Sequence, residues 1–378
     1  LEKSVNQKNS TRGYLPAMLT FVLKKLGYGL LVLWGVVTLV FFLFNILPGD
    51  PARMMLGQRA DKESIDIIHK ELGLDKPVYV QYLNYLNNII PISFHSTKTN
   101  SDFYFDKNKY TCSVKILEVG NFKIVAKKPY LGKSYQNKKN VSEIISEAVR
   151  NTFILALSSI LLAFVFGVIL GSISSIYINT WVDKFIQILT SIGMSLPSFF
   201  AAIIIAWLFA FKLADYTHLS MFGSLKEVDD MGTGEYIALK NTVLPAVTLG
   251  IRPLAVITEL TKNTLNEVFS QDYIRTAYSK GLTKFQVIYH HALKNALNPV
   301  ITAISGWFAS LLAGAVFVEY IFDWKGMGVV IVNALDVYDF PVIMSSLLII
   351  CIFLVLINIL TDIIYGRLDP KVRKQNNY

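Results

Sequence analysis

Apolar positions along the chain gather into six runs long enough to cross about 30 Å of hydrocarbon at about 1.5 Å per helical residue. They lie at about Tyr28 to Leu47, Thr152 to Ile178, Phe185 to Phe211, Thr242 to Thr261, Val300 to Phe322 and Val342 to Ile364. The fourth is the weakest, because Pro245, Arg252, Pro253 and Glu259 interrupt it. An even number of spans requires it, with both termini on one side. The pattern predicts an all-α polytopic membrane protein of six helices.

Between the first two runs lies a long polar stretch, Pro48 to Arg150. Leu47 to Pro51, "LPGDP", predicts a stiff turn that ends the first span, since Pro48 and Pro51 fix φ and Gly49 supplies freedom. Ile65, Ile68 and Leu72 recur on one helical face, with Asp61 as N-cap and Gly73 as stop. Alternation around Val119, Gly120 and Asn121 predicts a hairpin. The expectation is a small α+β extracytoplasmic domain over 48–146. Around it stand an N-terminal cytoplasmic segment at 1–27, a first span at 28–47, the remaining five spans over 147–365 and a cytoplasmic tail at 366–378.

Charge sets the orientation. Lys24 and Lys25 precede the first run, Lys184 lies between the second and third, and Lys262, Arg275, Lys280, Lys284 and Lys294 lie between the fourth and fifth. Arg367, Lys371, Arg373 and Lys374 follow the sixth. All fall on one face if both termini are cytoplasmic. The opposite loops hold Glu227, Asp229, Asp230, Glu235, Asp323, Asp336 and Asp339.

Composition agrees: 53% of the 378 residues are hydrophobic and 17% charged, too apolar for a soluble globule of this length. The net charge of +9 is scattered through loops rather than gathered with stacking aromatics, which argues against nucleic acid. Cys112 lies in a polar region and Cys351 in an apolar run, so a bridge between them is not expected. The basic N-terminal stretch leads into an apolar core with no small-residue cleavage pattern, which reads as an uncleaved span rather than a signal peptide.

One segment stands apart. Gln271 to Pro299, "QDYIRTAYSKGLTKFQVIYHHALKNALNP", is polar, basic and built like two short helices between apolar runs. The first has Ser270 or Asp272 as cap and Gly281 for a left-handed end. Thr283 and Gln286 have capping-box spacing for a second helix, from Lys284 to about Leu297, and Pro299 suits the first turn of the fifth span. From the residues alone, two readings stand level: a solvated cytoplasmic loop, or a rigid projection used for docking.

The wider pattern separates them. Arg275, Thr276 and Ala277, then Gly281, then Leu297, Asn298 and Pro299, resemble the Glu-Ala-Ala loop of ABC importer permeases. "FNILPGDPARMMLG", "ELGLDKPVYVQYLNYL", "SLPSFF", "VFVEYIFDWKGMG" and "DIIYGRLDPKVRK" follow the order of the B-type permeases of oligopeptide, dipeptide and nickel importers. Each motif is weak by itself; together they are specific and cover nearly the whole chain. Three departures stand out: Phe94 to Lys127 looks like an insertion, Glu259 stands where a basic residue is expected, and Arg275 replaces the family glutamate.

The resemblance implies a type I ABC importer permease without an ATPase site of its own, binding no cofactor or metal, with ATP and Mg held by partner subunits. No GxxxxGK[ST] phosphate loop occurs in the sequence, and His290 and His291 are adjacent on a helix rather than spaced to share a metal. Implied partners are a homologous C-type permease, two ATPase subunits, an extracytoplasmic binding protein and the inner-membrane lipid. Asp272, Tyr273, Arg275, Thr276, Ala277, Lys280 and Gly281, together with Ile274, are the expected ATPase contacts. Arg252 and Glu259, seven residues apart on one helical face, either pair with each other or face the translocation path. The expected cargo is peptide, with nickel-chelate or glutathione import as alternatives. An ion-coupled secondary transporter is the alternative from another class, but it would need coupling carboxylates or an internal repeat.

Overall fold

The computed structural model describes residues 2–46, 51–56, 61–98, 101–106, 109–110, 113–229, 232 and 234–368. The turn expected at Leu47 to Asp50, Cys112, Asp230 and the basic residues beyond Leu368 lie outside them. In chain order the helices and strands are α1 (Glu2–Ile46), α2 (Pro51–Leu56), α3 (Lys62–Leu72), α4 (Val78–Ile89), β1 (Ile92–Ser96), β2 (Ser113–Val119), β3 (Phe122–Lys127), α5 (Val141–Ile176), α6 (Trp181–Ser195) and α7 (Ser198–Ile205). There follow α8 (Ala214–Thr217), β4 (Lys226–Val228), β5 (Glu235–Ile237), α9 (Val243–Phe269), α10 (Asp272–Ser279), α11 (Lys284–Val287), α12 (Leu293–Gly314), α13 (Val316–Ile321), α14 (Met327–Asp336) and α15 (Phe340–Leu368). The chain forms two compact units, one of Leu1–Leu33, Ala148–Val329 and Ile350–Tyr378, the other of Trp34–Glu147 and Val330–Ile349.

The second unit holds the α+β part. α3 begins and ends as its sequence predicts: the Asp61 carboxylate accepts from the Ser64 amide, and Gly73 adopts φ +70°. The antiparallel sheet has the order β1-β3-β2, with Ile92 opposite Ala126 and Val119 opposite Phe122 across the predicted hairpin. Its inner face is not wholly apolar. Ser93, His95, Val125 and Lys127 are buried there, with the Lys127 Nζ 3.8 Å from the centre of the Tyr110 ring. Neither Lys127 Nζ nor His95 Nδ1 has a hydrogen-bond partner among the described residues. Burial, reinforced by Lys109, holds the Lys127 ammonium down at about 8, and burial with Lys127 nearby holds His95 at about 4.

Elsewhere in this unit the Thr38 and Tyr82 hydroxyls lie 2.6 Å apart, and Phe41 packs on Tyr82 and Tyr85. Asp339, one of the acids of the loop before the sixth run, is buried: its carboxylate accepts from the Ser134 hydroxyl and, at 3.1 Å, from the Tyr135 amide. Such a carboxylate ties two segments together.

The first unit is a helical bundle built on α9. Its core gathers Leu155, Ala202, Leu244, Leu311 and Trp324. Gly171 of α5 meets α9 so closely that an added Cβ would stand 2.6 Å from the Thr258 carbonyl oxygen, so only glycine permits that crossing. A buried carboxylate organises the "VFVEYIFDWKGMG" stretch. Glu319 of α13 accepts from the Thr152 hydroxyl and the Gly328 amide, each at 2.6 Å, while Trp324 Nε1 donates to the Asn151 carbonyl.

Among the described residues, four helices are long and apolar enough to cross a membrane, at Leu23–Asn45, Val141–Ile176, Leu239–Phe269 and Phe340–Ile363; a fifth is added if one bent pair counts as a span. That pair is the third expected run. It is not straight: α6 and the helix from Ser198 to Lys212 meet at 112° across Leu196 and Pro197. Pro197 cannot continue α6 and instead caps α7, whose far end widens into a π-helical stretch at Ala206–Lys212. The fifth expected run is also cut. α12 ends at Gly314 and the chain breaks at Ala315, ahead of the expected end at Phe322, although from Leu293 the helix is about 33 Å long. The fourth run, weak in sequence, is one continuous helix through Pro253 and is the most buried of the four.

Candidate coupling surface and translocation cavity

Where α9 ends, the chain turns at Ser270 and starts α10 from Gln271, whose extended backbone serves as cap without a side-chain bond. Neither Ser270 nor Asp272, the expected caps, fills that role; Asp272 is the first helical residue. An eight-residue helix is too short to persist alone, so packing must hold it. Ile274, only 1% exposed, and Ala277 insert into a cluster with Leu265 and Val268 of α9 and Val287, Ala292 and Ala296 beyond. This corrects the sequence reading, in which both were expected to face a partner. They anchor the helix to its own subunit.

The remaining expected residues are exposed: Asp272, Tyr273, Arg275, Thr276, Lys280 and Gly281. Arg275 stands 3.8 Å from Asp272, an exposed pair of little energetic weight that leaves the guanidinium free to engage another group. The Tyr273 hydroxyl accepts from Asn295 Nδ2 at 2.9 Å, which fixes the ring against the following helix. Gly281 has φ +80° and open space around its missing Cβ. The capping box forms as predicted: the Gln286 side-chain oxygen accepts from the Thr283 amide at 2.9 Å, and the Thr283 hydroxyl accepts from the Gln286 amide at 3.4 Å. Beyond it a π-helical turn at Ile288–Ala292 leads straight into α12, so the helix does not restart at Asn298 and Pro299 as expected; Pro299 lies within α12.

Two features escaped the sequence reading. Phe285 and Tyr289, 75% and 63% exposed, stack with parallel rings 6.3 Å apart beside α10. Their four-residue spacing was a readable signal. The second is an ion pair 79 residues apart in sequence. Lys262 Nζ of α9 lies 2.6 Å from the buried Asp183 carboxylate of α6, which also accepts from the Ser174 hydroxyl, the Asn179 amide and Gln187. Nothing local announces it.

On the surface of the bundle, α6, α7, α9 and α12 line a half-open pocket of about 90 Å³. Arg252, Thr248, Ser198, Ser310 and Trp307 line it, with Gly193 at the wall. Arg252 and Glu259 form no ion pair among the described residues; both are exposed, and only Arg252 reaches the cavity. Seven residues along one helix separate their backbones by about 10 Å, and the side chains do not close that gap. A guanidinium at the centre of a span costs roughly 2.5–3.5 kcal/mol unless paired or hydrated.

Comparison with known proteins places the chain. Residues 163–374 match the family described as "Binding-protein-dependent transport system inner membrane component", and residues 18–102 match the corresponding N-terminal family. Residues 103–162, which carry β2 and β3, fall in neither match. The di/tripeptide transport system permease protein DppB of Pseudomonas aeruginosa is 31% identical over 373 residues, covering 95% of this chain and 100% of the relative. The glutathione transport system permease protein GsiC of Salmonella typhimurium is 30% identical over 356 residues, covering 94% and 99%. Among solved structures, the MetNI methionine ABC transporter in an inward-facing conformation matches with a TM-score of 0.50 at 16% identity, over 60% of this chain and 97% of that one, a likeness of fold. The chain belongs to the family of inner-membrane components of binding-protein-dependent transport systems.

Proposed function

We propose that the chain is the permease subunit of an ATP-driven ABC importer of di- and oligopeptides, working by alternating access with ATP hydrolysed on partner subunits. The observation that carries this reading is α10. It is a short helix pinned to the end of α9 by Ile274 and Ala277, with Asp272, Tyr273, Arg275, Thr276, Lys280 and Gly281 turned outward. A lever so anchored converts closure of an ATPase pair into a tilt of α9 and, through Lys262 and Asp183, of α6. The assembly comprises a homologous second permease, two ATPases and an extracytoplasmic binding protein. The bent pair and α12 each count as a span in this reading, giving six, with both termini cytoplasmic. The ion pair between Lys25 and Asp362, at 2.8 Å, favours a common side for the two ends.

The relatives support peptide as cargo, and the glutathione permease among them favours glutathione, itself a modified tripeptide, as the second reading. Reconstituted into liposomes with its ATPase and binding protein, the chain is expected to import labelled dipeptide only with ATP. Excess glutathione that abolishes this uptake supports the second reading. Ion-driven uptake by the chain alone contradicts both.

A further inference from the structure

We infer that the cavity at Arg252 is a cargo subsite that holds the terminal carboxylate of the peptide as it crosses. This rests on the importer reading and adds the chemistry recognised within the membrane.

Three independent observations converge on it. Arg252 lies near the middle of the span Leu239–Phe269, about 20 Å from its start at about 1.5 Å per residue. No carboxylate pairs with it among the described residues, and Glu259, the nearest acid on its helical face, does not line the cavity. An unpaired guanidinium at that depth presents five donors in a planar fork suited to two carboxylate oxygens.

The wall of the cavity is a break in a membrane span. Leu196 and Ser198 flank the 112° bend and both line it. Non-helical backbone at membrane depth is tolerated where it is covered by protein or faces a water-filled space, and broken spans recur at the midplane sites of transporters.

The size sets what fits. At about 90 Å³ the half-open pocket takes several waters, each needing roughly 10–15 Å³, and receives one end of a peptide whose remainder lies outside it. It suits one end. The Ser198 and Ser310 hydroxyls add donors beside the guanidinium, and Trp307 offers a flat apolar flank for the adjoining residue. No lysine or second arginine lines the space, so the discrimination falls on Arg252.

The test uses the full complex in liposomes, with one dipeptide supplied as free acid and as C-terminal amide, each loaded to saturation on the binding protein. The wild type should import the acid about tenfold or more faster than the amide, the scale of one lost charge-assisted hydrogen bond. R252Q should bring that ratio close to one, and R252K, which keeps the charge but loses the fork, should give an intermediate ratio. An acid-to-amide ratio unchanged in R252Q overturns the proposal. If R252Q imports neither peptide, a photoreactive dipeptide acid added to the solubilised wild-type complex decides: labelling of α9 or α12 that free acid competes away and amide does not supports the site. Absent labelling, or equal competition, overturns it. A wild-type complex that imports neither peptide with ATP is a separate failure, removing the importer reading and this site with it.

Discussion

Lys262 of α9 and Asp183 of α6 meet at 2.6 Å, and the carboxylate takes further hydrogen bonds from Ser174, Asn179 and Gln187. The pair sits about two turns before α9 gives way to α10 and ties that end of α9 to a second helix of the bundle. Removing one member leaves a buried charge without its partner, at a cost of about 3–5 kcal/mol. D183A and K262A should each lower the thermal unfolding temperature of the purified chain, and D183A/K262A should lose less than the two single losses added. Additive losses would show that the two groups do not interact.

Ile274 and Arg275 are neighbours with opposite duties, one buried against α9 and one exposed. I274A opens a cavity under the lever and should destabilise the chain by about 2–4 kcal/mol, read from denaturant unfolding. R275E should shift stability by no more than about 0.5 kcal/mol while weakening capture of the ATPase subunit on a column. Equal effects on stability would place both residues in the core.

Gly281 offers a test of backbone against contact. Nothing surrounds its missing Cβ, so any penalty for a side chain comes from its φ of +80°. G281V should cost about 1–2 kcal/mol and reduce coupled import, whereas G281N, tolerant of the left-handed region, should retain most of it. Matching import by the two variants would remove the conformational argument.

In the sheet of the second unit, His95 is held at about 4 against an ordinary 6.5, and Lys127 at about 8 against 10.5. The unfolded chain takes up a proton on His95 below pH 6.5 while the folded chain resists it, so stability is lost as pH falls from about 6.5 to 4. Lys127 is charged in both states at neutral pH; its burial cost is relieved only as pH rises from about 8 to 10.5. Protease nicking within β1 to β3 should therefore increase from pH 7 to pH 5, and the increase should shrink in H95Q. Nicking that is flat with pH, or unaffected by H95Q, contradicts this.

What was legible in the sequence was whatever local chemistry decides. Asp61 and Gly73 bound their helix, Gly120 turns its hairpin, and Thr283 with Gln286 forms its capping box, because each rests on groups a few residues apart. Lengths of apolar runs also translated, except where backbone and packing intervened: Pro197 bends the third run and Ala315 interrupts the fifth. The inward turn of Ile274 and Ala277 was hidden, because which face of a short helix is buried depends on a core assembled from residues up to Ala296. Asp183 with Lys262, and Asp339 with Ser134, were beyond reach for the same reason: their partners lie 79 and 205 residues away.

The most direct test of the central claim is cysteine cross-linking at the lever. With Cys112 and Cys351 replaced, T276C should form a disulfide with a cysteine placed in the groove of the cognate ATPase subunit, in membranes, with a yield that changes on adding ATP. Absence of that cross-link, together with labelling of T276C by a membrane-impermeant thiol reagent applied to intact cells, would place α10 on the wrong face and contradict the account.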